Sequence, residues 1–122
     1  MRVLLVDDMD DLRESSAWLL RLAGCEVRTA PCGDKALADL NGFQPELVLT
    51  DFMMPQMDGI ELIRRLRSIP ELDHVPMLMV TAADDRTVEE QAKAAGAAGI
   101  VTKPVDILEV LGRVERGEFH VA

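Results

Sequence analysis

The amino-acid sequence predicts one α/β domain, a doubly wound sheet of five parallel strands alternating with five helices. Three observations carry that expectation. Four short, nearly continuous apolar runs stop abruptly at polar residues, as strands covered on both faces do. Between the runs lie segments whose apolar residues recur at helical spacing. The chain has 122 residues, 48% hydrophobic and 29% charged, enough for one core and too few for two ordinary domains.

Taken in order, Val3 to Val6 is the first strand and runs into Asp7 and Asp8. Leu12, Ser16, Leu19 and Ala23 set the period of the first helix, whose opening turn takes Asp10 and Asp11 where acids suit the helix dipole. After Gly24, the weaker alternating run Glu26 to Ala30 is a second strand at a sheet edge. Ala36, Leu37 and Leu40 mark the second helix, and Leu47-Val48-Leu49 the third strand. Ile60, Ile63 and Leu66 give the third helix, Met77 to Val80 the fourth strand, and Val88, Ala92 and Ala95 the fourth helix. Gly99-Ile100-Val101 is the fifth strand, and Ile107, Leu111 and Val114 form the last helix. Short connections punctuated by Gly and Pro leave no room for a linker or repeat, so residues 1–122 are expected to be one domain with a tail from about residue 116.

Composition excludes several functions. A formal charge of −9 opposes direct binding to nucleic acid, which needs clustered Lys and Arg. No stretch reaches the roughly 18 apolar residues of a membrane span, and the start resembles neither a secretion signal nor a transit segment, so a cytoplasmic location is expected. Cys25 and Cys32 match no metal or redox spacing and are expected to be reduced. His74 and His120 are too isolated for a zinc site.

In doubly wound sheets, functional groups gather beyond the carboxyl ends of the strands. Here Asp7 and Asp8 follow the first strand, Asp51 the third, Thr81 the fourth, and Lys103 the fifth with one residue intervening. Singly, each has a plainer reading as a helix cap, a turn residue or a solvated lysine. Together they make one candidate site. Three converging carboxylates repel one another, which raises at least one pKa unless a cation intervenes, and oxygen ligands suit Mg²⁺, with Mn²⁺ as a substitute. Lys103 and Thr81 suit the oxygens of a phosphoryl group, while Asp51, needing no general base, suits the nucleophile.

The motifs Val-Asp-Asp at 6–8, Thr-Asp-Phe-Met-Met-Pro-Gln-Met-Asp-Gly at 50–59, Val-Thr-Ala at 80–82 and Thr-Lys-Pro at 102–104 stand in a specific order and spacing. In these the chain resembles the receiver domain of two-component response regulators over essentially its whole length. The resemblance implies a flavodoxin-like fold with strand order 2-1-3-4-5 and a sensor histidine kinase or phosphotransfer protein that donates to Asp51. It further implies that the Met53 backbone carbonyl joins Asp7, Asp8 and Asp51 around the metal, and that the Lys103–Pro104 bond is cis. Such a domain is a phosphoacceptor rather than an enzyme acting on other molecules, and it signals to a downstream protein through the fourth helix, fifth strand and fifth helix. Thr81 would be one half of the family's switch. The other half is normally an aromatic residue three positions before the lysine, and here that position is Ile100. Met53 and Ala83, apolar where fast-hydrolysing relatives carry polar groups, imply a long-lived phosphoryl group.

Two alternatives stand beside this reading. Asp8-Met9-Asp10 has the spacing of a haloacid-dehalogenase-like phosphatase, although Leu12 departs from that motif and Asp51 lies elsewhere. A non-phosphorylated scaffold of the same fold is the other. A flavin site is disfavoured because the acidic loop after the first strand would repel an uncompensated phosphate.

Overall fold

The computed structural model describes residues 1–82 and 85–120. Its five strands are β1 (Arg2–Val6), β2 (Glu26–Ala30), β3 (Leu47–Asp51), β4 (Met77–Thr81) and β5 (Gly99–Thr102). The helices are α1 (Asp10–Leu22), α2 (Gly33–Ala38), α3 (Gly59–Arg67), α4 (Arg86–Ala95) and α5 (Ile107–Glu115), with a 3-10 turn at Pro70–Leu72. All strand pairs are parallel and the order is β2-β1-β3-β4-β5, so the weakly alternating β2 is indeed an edge.

The pleat sends alternate residues of each strand to opposite faces, and both faces are covered. Val3, Leu5, Leu47 and Leu49 pack with Ala17 and Leu20 of α1 and with Val110 and Leu111 of α5. Leu4, Val6, Val48, Met77 and Met79 pack on the other side with α2, α3 and α4. All five residues of the central strand β3 are buried, which explains its unbroken apolar run.

Several boundaries differ from the sequence expectation. Asp51 and Thr81 are the last residues of their strands rather than the residues beyond them, and β5 runs to Thr102, so Lys103 follows it directly. The run of apolar letters ended early, but backbone pairing continues for another residue: Asp51 pairs with Val80, and Thr81 with Thr102. Helix α2 ends at Ala38, before Leu40, which instead opens a turn by accepting from the Phe43 N–H at 2.9 Å.

The phase of α1 also differs. Its buried residues are Ala17 and Leu20, while Leu12, Trp18 and Leu22 face outward. Of the expected stripe, Leu12 and Ala23 are exposed and Ser16 and Leu19 only half-buried, so the inner face is shifted by one residue onto Ala17 and Leu20.

Asp58, Asp85 and Asp106 cap α3, α4 and α5, their carboxylates accepting from Glu61, Thr87 and Glu109 N–H groups at 2.9, 2.8 and 3.2 Å. The last helix thus begins at Ile107, capped by Asp106 and three residues beyond Pro104. At the opposite end of α4, Gly96 adopts the left-handed conformation that ends the helix, φ +116°. Arg67 reaches across from α3 to bond the Gly96 and Leu72 carbonyls at 3.0 and 2.8 Å. The tail is not loose over residues 116–120. Glu118 pairs with Arg113 at 2.8 Å, and Phe119 packs under the Arg113 guanidinium at 4.9 Å.

Candidate functional site

The carboxyl ends of β1, β3, β4 and β5 bring Asp7, Asp8, Asp51, Thr81 and Lys103 to one end of the sheet. Asp51 and Thr81 are buried, at 6% and 3% exposure. Lys103 Nζ stands 3.0 Å from Asp51 Oδ1, and the Phe52 N–H donates to the same oxygen at 3.1 Å. The Lys103 backbone N–H in turn donates to the Thr81 carbonyl at 2.8 Å, and the Lys103–Pro104 peptide is cis.

The Asp51 carboxyl is held above its ordinary pKa. Burial is the largest cause; Lys103 opposes it, and the nearby charges of Asp7 and Asp8 add to it. Repulsion among the three acids is thus the smaller contributor, although sequence spacing made it the more visible one.

Oxygens of Asp7, Asp8 and Asp51 all lie within 4.8 Å of one another. Three hard carboxylate donors beside a single lysine fit a hard divalent cation, which would offset the like charges that now face each other. Softer nitrogen or sulfur ligands are absent from this group, so zinc is not suited.

Asp7 is fixed from two sides. Its Oδ1 accepts from the Met9 N–H at 2.9 Å, and its carbonyl accepts from Arg13 Nη1 at 2.8 Å. Arg13, with only 11% of its side chain exposed, also grips Asp10 at 2.8 Å. Sequence reasoning passed over Arg13. Its only signal was a basic residue one turn into a helix that opens with acids, and that pattern usually means a solvated pair. The same pair removes Asp10 from the cluster: its side chain is 81% exposed and engaged with Arg13. The Asp-x-Asp reading thus loses its second acid.

The loop from Phe52 to Asp58 shapes the remaining side. The Gly59 N–H closes it on the Phe52 carbonyl at 2.8 Å. A side chain at Gly59 would meet the backbone of Asp51 and Phe52, so glycine here allows α3 to start against the acidic residue itself. Met54 and Met57 turn inward, whereas the Met53 side chain is 71% exposed. A cleft of about 510 Å³ between α1 and α5 opens beneath Asp51 and Lys103, walled by Leu5, Leu12, Leu49, Val80 and Ile107. These apolar walls are one reason Asp51 is poorly hydrated.

Ile100 lies apart from the acidic group, paired with Met79 and packed against the core on the α4 side. Ala83 lies outside the described residues.

Comparison with known proteins bears on the family and the fold. The family model for the response regulator receiver domain matches residues 3–115. An uncharacterized 14.6 kDa protein of Leptolyngbya boryana is 36% identical over 116 residues, covering 95% of this chain and 88% of that one. The phosphate regulon transcriptional regulatory protein PhoB of Rhizobium meliloti is 35% identical over 93% of this chain, which spans 50% of its length. Among solved structures, the chemotaxis response regulator CheY4 of Vibrio cholerae superposes with a TM-score of 0.86 at 32% identity, covering 94% of this chain and 96% of that one.

Proposed function

This chain belongs to the response regulator receiver domain family and so to two-component signalling, and from that membership we propose that Asp51 is its phosphoryl acceptor. The observation that carries the proposal is the buried Asp51 carboxylate, paired with Lys103 at 3.0 Å and within 4.8 Å of the oxygens of Asp7 and Asp8.

The donor is the phosphohistidine of a sensor histidine kinase or phosphotransfer protein. The Asp51 carboxylate is the nucleophile, and Lys103 and the Phe52 N–H both hold its Oδ1. The P–N bond to the donor histidine breaks as the P–O bond to Asp51 forms, and the imidazole leaves with its proton. An ionised carboxylate needs no base, and an acyl phosphate results. Asp7, Asp8, Asp51 and the Met53 carbonyl would hold Mg²⁺, or Mn²⁺ in its place, which supplies charge neutralisation for the approaching anion. Lys103 and the Thr81 hydroxyl stabilise negative charge on the transferred oxygens. Arg13 positions this set through the Asp7 carbonyl without touching the reacting atoms.

The 122 residues act as one receiver unit with no catalysis on other molecules, in the cytoplasm, and without touching nucleic acid themselves. No described helix is long and apolar enough to cross a membrane, and the charge of −9 supports the last point. The output surface is α4, β5 and α5. Ile100 has no ring to turn, so Thr81 acts on that surface without an aromatic partner, by way of the segment after it, part of which lies outside the described residues. Apolar Met53 cannot orient an attacking water, which supports a long-lived acyl phosphate.

The test is transfer of labelled phosphate from autophosphorylated histidine kinases. Wild type should accept one phosphate, and Asp51→Asn none; label retained by Asp51→Asn would place the acceptor elsewhere. Acid-quenched decay with Mg²⁺ present should give minutes or longer, and a half-life of seconds would overturn the lifetime argument.

A further inference from the structure

We propose that this domain pairs with a second copy of itself through α1, the two helices running antiparallel about a two-fold axis at Trp18. Trp18, the chain's single tryptophan, is 62% exposed, and Leu22 one turn later is 66% exposed. Both are turned away from the buried Ala17 and Leu20, Leu22 by about 140–160° and Trp18 by about 100–160°, so neither serves the core. One exposed leucine is ordinary, but a tryptophan and a leucine at i and i+4 on an outer helix face form a contiguous apolar strip.

The charges beside the strip select the occupant. Glu14 and Arg21 lie about 40° and 60° to the same side of Trp18 at about 100° per residue. A two-fold axis at Trp18 sets each residue beyond it against the residue equally far before it. Pairing of this kind keeps like flanks together, so Arg21 meets Glu14 of the second copy, and symmetry makes that contact twice. The axial mismatch between them is about 1.5 Å, one residue of rise and well within reach of both side chains. Trp18 then stacks on its own counterpart, and Leu22 covers the hollow walled by Glu14, Ser15, Trp18 and Arg21. Arg21 already gives one N–H to the Val27 carbonyl at 3.0 Å, but a guanidinium carries five donors. Glu14 is held only loosely, with Arg13 Nε 3.7 Å away.

One helix face is smaller than the roughly 800 Å² per partner of a standard interface, and two copies of charge −9 repel. The pairing is therefore weak, forming between micromolar and millimolar concentration. It needs neither the acidic site nor phosphate, and so stands independently of the role given to Asp51.

Sedimentation equilibrium of the whole chain from micromolar to millimolar concentration tests it, with emission of the single tryptophan as a second reading. The mass should climb toward twice the monomer while the emission shifts to shorter wavelength. Leu22→Asp should abolish both changes, and Glu14→Arg or Arg21→Glu should each weaken association about tenfold. The double variant Glu14→Arg/Arg21→Glu should restore it. All three positions are exposed, and thermal melts establish that the variants are folded. A monomeric mass throughout, association indifferent to these changes, or failure of the double variant to recover would each overturn the proposal.

Discussion

Gly59→Ala is the sharpest probe of how the fold holds the acceptor. The added methyl would stand 3.1 Å from the Asp51 carbonyl carbon and from Phe52 Cα, and closer still to the Asp51 carbonyl oxygen. Those atoms are backbone, fixed in β3 and by the Gly59 N–H bond to Phe52, so no side chain can swing aside. Relief requires a shift of roughly 0.5–1 Å between strand and helix, against an overpacking cost of about 1–3 kcal/mol. Loss of the Gly59 hydrogen bond adds about 1 kcal/mol, for a total of about 2–4 kcal/mol. In a domain of this size that lowers Tm by about 8–16 °C. Because the displaced backbone belongs to Asp51, phosphotransfer should fall about 100-fold even where the variant is fully folded. Gly42→Ala is the control: its φ of +75° costs about 1–2 kcal/mol, yet nothing lies within 4 Å of the new methyl, and phosphotransfer should be unchanged. Calorimetry and stopped-flow transfer from a kinase would measure both. A Gly59→Ala protein with wild-type Tm and transfer rate would refute the reasoning.

Asp51→Asn should stabilise the metal-free domain at neutral pH. The folded-state pKa of Asp51 is raised, so stability is greater below the unfolded pKa and falls as pH climbs through the folded one. The gain from asparagine should therefore vanish in acid and shrink in saturating Mg²⁺; a lower Tm than wild type at pH 7 without metal would contradict it. Asp8→Asn should weaken Mg²⁺ binding at least about tenfold by calorimetric titration, because one of three carboxylates is gone. Arg13→Ala should cost about 1–3 kcal/mol and weaken Mg²⁺ binding by loosening Asp7, with Arg13→Lys intermediate; unchanged metal affinity would show that the Asp7 loop holds itself. Lys103→Ala should slow phosphotransfer by about two to three orders of magnitude while leaving Mg²⁺ binding intact or stronger, since a cation beside the carboxylates is removed.

Much of this was legible in the sequence because the apolar run of a strand buried on both faces breaks within a residue or two of its carboxyl end. The change from apolar to polar letters after Val6, Leu49 and Val80 falls at or just before those ends, and parallel topology does the converging. What stayed illegible depends on side-chain direction. Nothing in the letters shows that Arg13 folds back over the Asp7 carbonyl, or that Ala17 rather than Leu19 leads the inner face of α1. Phe119 was likewise read as tail, because its packing under Arg113 needs the turn at Gly117, φ +76°. The burial of Asp51, the largest influence on its proton affinity, arises from apolar walls contributed by several distant segments.

The bond from the Lys103 N–H to the Thr81 carbonyl has a mechanical meaning. It welds two residues that arrive from different strands into one jaw, facing the Asp51 jaw across the gap. The span of that vice is set by the stagger of β4 against β5, not by the choice of rotamers. Because both partners are backbone atoms, substituting either side chain leaves this bond in place. Grafting this chemistry onto another scaffold would demand the strand offset first and the side chains second.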